Sequence, residues 1–147
     1  MSADPVTNPT RLETRFGTFE ITPDQLVRFP TGIPGFEQNR TFVLISARDM
    51  SPLQCLQATE GPPASFLVID PRLVIEGYRT TLNDADKARL QVVDQTPLLW
   101  LAIITLSPDA PAYVNLRAPI VINPARMLGC QVIPSETVYP MRHPLPG

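Results

Sequence analysis

One histidine, two cysteines and fourteen carboxylates carry most of the acid–base and metal-ligating capacity of this chain. The histidine, His143, lies in the stretch "YPMRHPLPG" (139–147), among prolines. A Ser-His-Asp relay needs its imidazole held by packing and by a second hydrogen bond. A proline-flanked tail is a poor place for that. Cys55 and Cys130 are far apart and form no C-x-x-C pair, so they read as reduced, packed thiols. Whether they approach closely enough to bond is a matter of geometry that spacing does not decide. With His143 they lack the close pairing that marks a zinc site. No G-x-G-x-x-G or Walker pattern occurs. "GIPG" (32–35) matches the G-x-x-G of nucleic-acid-clamping loops, but Pro34 removes a backbone donor and no basic helix flanks it. Fourteen carboxylates allow some pair to converge, yet no spacing singles one out. The inventory points away from an enzyme and calls for no metal or cofactor.

The elements that must position any site are short. Eighteen prolines in 147 residues, against roughly 5% in average usage, interrupt helices and strand ladders along the whole chain. A hydrophobic fraction of 44% is that of a globular domain with a real core. Net charge is −2, and the eleven arginines and single lysine form no run, which argues against direct nucleic-acid binding. The longest apolar run, "PLLWLAIITL" (97–106), is about half the ~20 residues a membrane-spanning helix needs. With no apolar leader in "MSADPVTNPT", the chain reads as cytoplasmic and without a membrane role.

Punctuation recurs every eight to fifteen residues, as in an all-β domain. Residues 11–21 read as strand, with Gly17 a bulge or tight turn. Residues 22–26 read as one helical turn, capped by Thr22 with Gln25 reaching back. Strands follow at 40–46, 53–59 and 65–70, and residues 72–78 form a further strand or an irregular extension. "LNDADKARLQV" (82–92) is the one convincing helix, with Asn83 as its cap. Residues 97–106 form a central strand buried on both faces. Residues 112–123 form a long strand, with Pro119 placing it at an edge or a bulge, and 130–133 form the last. The expected fold is mostly β: a small, antiparallel, barrel-like single domain (ordered core about 11–138) with one short helix and short helical turns. The polar start and proline-rich end are read as ragged.

"FPTGIPGF" (29–36) is the most unusual stretch. Pro34 suits the first central position of a type II turn, and Gly35 supplies the positive φ of the second. Gly32 allows another sharp bend. Phe29, Ile33 and Phe36 then fold inward or form an exposed apolar cluster. Asn115 and Asn123 flank a strand segment, where each side chain braces a neighbouring turn or meets a partner. Pro119 blocks one ladder bond, which leaves a local surface with Leu116 and Ala118 beside it.

The longer segment around this stretch, "LVRFPTGIPGFE" (26–37), resembles the signature segment of the FliW family of flagellar assembly factors. "VNLRAPIVIN" (114–123) is similar to that family's second motif, and "LQATEGPPASFLVIDP" (56–71) resembles the stretch between them. Order, spacing and length agree over about residues 11–145. The resemblance implies a non-enzymatic cytoplasmic regulator on a small β-barrel-like fold. Such a protein binds the C-terminal helical region of flagellin before export. When free of flagellin it binds CsrA, an RNA-binding repressor, and relieves repression of flagellin translation. The two partners exclude one another by direct overlap or through a shape change.

The resemblance makes a motif of Phe29, Pro30, Gly32, Ile33, Pro34 and Gly35, joined by Pro119 and Asn123, as shapers of the surface. Partner contacts fall on Phe36, Asn115, Leu116 and Ala118. Glu60, Asp70 and Glu76 are acids suited to a basic partner, and Tyr78 and Arg79 lie in the same middle stretch. Arg79 departs from the family pattern, in which an acid often follows the tyrosine. The reading from another class is a ligand-binding barrel for a sugar or apolar molecule, which needs an open interior. Phe42, Phe66 and Trp100 suggest a filled one.

Overall fold

The computed structural model describes residues 10–134 and 136–145. A hairpin comes first, β1 (Thr10–Thr14) and β2 (Gly17–Ile21), paired antiparallel. Then follow β3 (Leu26–Arg28), β4 (Thr41–Ser46), β5 (Gln54–Ala58) and β6 (Ser65–Ile69). Helix α1 (Asp84–Leu90) leads to β7 (Leu99–Ser107), β8 (Ala110–Asn123), β9 (Leu128–Gln131) and the two-residue β10 (His143–Pro144). Strands β3 to β8 form an antiparallel meander interrupted by α1. β9 pairs with β8 on one side and, in parallel, with β3 on the other. That pairing closes a seven-stranded barrel and removes the sheet edges.

Alternation along the strands separates two apolar faces. Phe42, Leu56, Val68, Leu101, Ile120 and Ile122 fill the interior, together with Phe29 from the loop after β3. The outer face is apolar too, because it is clad. The β1–β2 hairpin covers Val43, Ile45 and Cys55 with Leu12, Phe16 and Phe19. Leu90 of α1 packs on Val121, Leu128 and Cys130. Tyr78, Tyr139 and Leu145 cover Leu67, Ile69, Ala102 and Ile104. The expected two-sided burial of residues 97–106 therefore holds at Leu101 and Ala102, but Leu99 and Leu106 at its ends are exposed.

Several boundaries differ from the sequence reading, each for a local reason. Residues 11–21 are two strands around a turn, and Gly17 has φ +123°. The one helical turn is present at Pro23–Gln25, with the Gln25 side chain accepting from the Thr22 N–H at 2.7 Å. Residues 72–78 are irregular: Asp70 accepts from the Arg72 N–H at 2.9 Å and caps a single 3-10 turn at Pro71–Leu73. Asn83 caps α1 through the Asp86 N–H at 2.7 Å, and the helix stops at Gln91 in the left-handed region. The last barrel strand is Leu128–Gln131 and not 130–133. Val132 still donates to the Pro119 carbonyl, but proline has no N–H to return, so the ladder ends. The proline-rich end lies along β8: Leu116 donates to the Pro140 carbonyl, and His143 faces Val114. Residues 1–9 fall outside the described residues.

Candidate partner-binding surface

The site residues named from sequence fall into two groups, at opposite ends of β6. The first is built on the 29–40 loop. Gly32 donates to the Phe29 carbonyl, and Phe36 donates to the Ile33 carbonyl at 2.6 Å across Pro34 and Gly35. With Gly35 at φ +88°, this is the expected type II turn. The Arg40 guanidinium closes the loop from behind by donating to the carbonyls of Pro30 (2.6 Å) and Glu37 (2.7 Å). The Glu37 carboxylate accepts from the Gly35 N–H, and that bond lowers its pKa. Buried Asn39 donates to the carbonyls of Glu60 and Pro62, so the loop is latched to the β5–β6 connection.

This geometry resolves the three apolar side chains. Phe29 and Ile33 turn inward and are buried. Phe36 turns outward, 41% exposed, with its ring edge-on to Phe66 at 4.9 Å. It caps an aromatic series that runs inward through Phe66 and Phe42 to Phe29. Beside it, residues 35–39 with Pro62 and Pro63 line a surface groove of about 350 Å³. Glu60 is exposed and accepts from the Thr41 hydroxyl.

The second group is built on β8. Between the pairs Leu101–Ile120 and Ile103–Asn115, Ala102 alone stands opposite residues 116–119. β8 therefore bulges by an odd number of residues, which reverses its faces. Val114 and Leu116 lie in the outer cluster, and Ile120 and Ile122 lie inside. The bulge is braced by side chains. Asn115 accepts from the N–H groups of Arg117 (3.0 Å) and Ala118 (3.1 Å). Gln131 donates to the Ala118 carbonyl and Tyr78 to the Leu116 carbonyl. Asn123, fully buried, donates to the Leu90 carbonyl and accepts from the Ala125 N–H, tying α1 to the strand end.

Two expected contacts are thereby corrected. Leu116 is buried in the outer cluster, and Tyr78 is only 8% exposed, so neither side chain is offered to a partner. Both hold the bulge in place. Asp70 is paired with Arg72 at 2.8 Å, and the arginine's hydrogen bonds hold its carboxyl below the usual range. Glu76 and Arg79 are exposed, and Ala118 is half-buried. Tyr139, which sequence reasoning missed, stacks on Tyr78 at 4.4 Å, and its hydroxyl accepts from the Arg79 N–H. Sixty positions separate it from Arg79 in sequence, so no local pattern marks it. Arg117 was within the motif but not singled out. It joins Arg79, Glu136, Thr137 and Tyr139 around an open groove of about 660 Å³.

Burial pushes the Tyr78 phenol up to about 12, with the Tyr139 ring adding to the effect. In the unfolded chain it titrates near 10. The unfolded chain therefore loses this proton first as pH rises. The contribution to stability is complete below pH ~10 and is lost as pH climbs through about 12, by roughly 2–3 kcal/mol. Tyr78→Phe is expected to cost about 1–2 kcal/mol at pH 8, because the Leu116 carbonyl loses its donor, and to flatten this alkaline limb. Urea unfolding between pH 8 and 11.5 measures both effects. Burial pushes the Cys130 thiol up to about 11, with Asp86 adding, and burial also raises the Cys55 thiol, so the two cysteines contribute to the slope that remains.

Among the described residues no three His, Cys, Asp or Glu side chains gather to hold a metal ion. No helix of the described residues is long and apolar enough to cross a membrane. The architecture is that of a filled barrel, with shaped loops and grooves on its outside. The model of the FliW protein family matches residues 11–145. The chain is 38% identical over 133 residues to the flagellar assembly factor FliW of Desulfitobacterium hafniense (strain Y51), covering 90% of this chain and 88% of that protein. It is 35% identical over 132 residues to the flagellar assembly factor FliW of Carboxydothermus hydrogenoformans, covering 89% and 85%. A crystal structure of the flagellar assembly factor FliW superposes with a TM-score of 0.85 at 34% identity, over 94% of this chain and 98% of that one. The chain belongs to the FliW family. Those relatives are named as assembly factors and not as enzymes.

Proposed function

We propose that this chain is a non-enzymatic flagellar assembly factor acting in the cytoplasm. It binds the C-terminal helical region of flagellin, and when free of flagellin it binds CsrA and relieves repression of flagellin translation. The observation that carries this reading is the match to the FliW family over residues 11–145, on a barrel whose interior is occupied. Phe29, Phe42, Leu56 and Ile120 fill the space that a sugar or apolar ligand would need, so the outer surface is left for function. An exposed aromatic on a rigid, hydrogen-bonded loop suits the apolar face of a helical segment, because little ordering cost is incurred on binding. Phe36 is the residue of the loop group that meets this description. Glu60 and Glu76 are exposed acids available to a basic partner.

Calorimetric titration with flagellin from the same genome tests the reading. Binding to full-length flagellin, absent when its C-terminal helix is deleted, is the expected result. Folded flagellin that gives no heat and no shift in gel filtration would overturn it. A second titration, with CsrA in the presence and absence of flagellin, reads the exclusion between the two.

A further inference from the structure

The groove at Arg79 and Arg117 has a chemistry that the proposed function does not use. Its two guanidiniums come from separate stretches of chain, the 79–81 segment and the β8 bulge. Neither forms an ion pair among the described residues, where Arg72 and Arg89 do. Two hydroxyls at the groove already act as acceptors. Tyr139 Oη already accepts from the Arg79 N–H at 3.0 Å, and Thr137 Oγ1 accepts from the Tyr139 N–H at 3.1 Å. Each therefore has its proton left to give. Among the described residues that line the groove, the one opposing charge is Glu136, which does not approach either arginine within ion-pair distance. The walls are held before anything binds: Tyr78 is stacked on Tyr139 and bonded to the Leu116 carbonyl, and Asn115 fixes the turn that presents Arg117.

We propose that this groove is a docking site for an acidic peptide segment, whose carboxylates are received by Arg79 and Arg117 and by the Thr137 and Tyr139 hydroxyls. Arginine takes carboxylates in a planar, two-pronged fashion, and the backbone beneath both arginines is held in advance by the Tyr139 and Asn115 side chains, which lowers part of the ordering cost. The occupant is a peptide and not a small anion because the groove is open and about 660 Å³ in volume, far more than a single inorganic anion fills. Val138, 93% exposed at the same groove, offers a peptide an apolar contact. Nucleic acid is disfavoured by the chain's net charge of −2 and its lack of a basic run. The stacked Tyr78–Tyr139 pair also has no open ring face between its members for a base. The inference rests on the proposed function only in taking the occupant to be a protein segment.

The test uses a fluorescein-labelled hexaglutamate peptide, read by fluorescence anisotropy on the full chain, with hexalysine and a single-stranded oligonucleotide as the other probes. Hexaglutamate is expected to bind, more weakly as salt rises. Arg79→Glu with Arg117→Glu should weaken it about tenfold or more, allowing for solvent screening, and Glu136→Gln should tighten it. Arg79→Gln with Arg117→Gln is the milder pair, should charge reversal harm folding, with circular dichroism as the check. The inference is overturned if hexaglutamate does not bind, if the glutamine pair binds it as the native chain does, or if hexalysine or the oligonucleotide binds as well or better. Failure of flagellin to bind, with hexaglutamate binding intact, would sink the proposed function and leave this one standing.

Discussion

Phe29→Ala is expected to destabilise the fold by about 3–5 kcal/mol, the range for removing a fully buried aromatic. The ring is wholly enclosed, meets Phe42 edge-to-face at 5.0 Å, and lies against Gly129 of β9. A Cβ at Gly129 would sit 2.6 Å from that ring, so the strand there is shaped around it. Phe29 also comes at the point where β3 hands over to the 29–40 loop, and its N–H donates to the Arg40 carbonyl. The cavity would open at the seam where β3 meets β9 at Arg28 and Leu128. Urea unfolding reads the effect: the midpoint should fall with the slope unchanged. A loss below about 1.5 kcal/mol would mean that the surrounding side chains relax into the space.

The second large effect separates two glycines of one motif. Gly32 has φ +70°, and an added Cβ would lie 2.7 Å from the Glu37 Cα, which is backbone and cannot swing aside. Gly35 has φ +88°, with nothing near such a Cβ. Gly32→Ala is therefore expected to cost about 2–5 kcal/mol, backbone strain plus overpacking, and Gly35→Ala about 1–2 kcal/mol from strain alone. Thermal unfolding of the two variants side by side decides it. Equal losses would show that the loop opens to admit the methyl group, and that the Gly32–Glu37 approach is not a constraint. The same loop presents Phe36, so Gly32→Ala should also weaken any partner held there, whereas Gly35→Ala should alter it less.

Much of this loop was legible in sequence because its chemistry is local. Proline followed by glycine specifies one turn, and Gln25 three residues after Thr22 specifies one cap. The strands at 40–46, 53–59 and 65–70 were legible for the same reason, as compact apolar runs between breakers. What was hidden depends on contacts between distant residues. Pro119 signalled an edge or a bulge, but the number of residues in the bulge sets which face each side chain takes. That number is settled by β7 opposite, not by β8 itself. Leu116 thus read as a surface candidate and is buried, while Arg117, one position on, is exposed. Tyr139 was invisible because it sits in a proline-rich end that carries no periodicity, held by stacking on Tyr78. The family resemblance supplied the names of partners and could not supply these contacts.

The parallel pairing of β3 with β9 governs how this chain reaches its fold. The strand that seals the barrel ends at Gln131, and its mate is finished by Arg28. A chain emerging from the ribosome therefore holds its β3 edge open until residues 128–131 have been made. Closure brings together positions 28 and 128, and the entropy of so long a loop must be overcome before the Phe29–Gly129 contact can reward it. High contact order of this kind goes with folding in milliseconds to seconds, not microseconds. During that interval the unpaired edge is open to aggregation. The β1–β2 hairpin and the α1 helix are built from neighbouring residues, are marginal alone, and are held by packing on the outer face of the sheet.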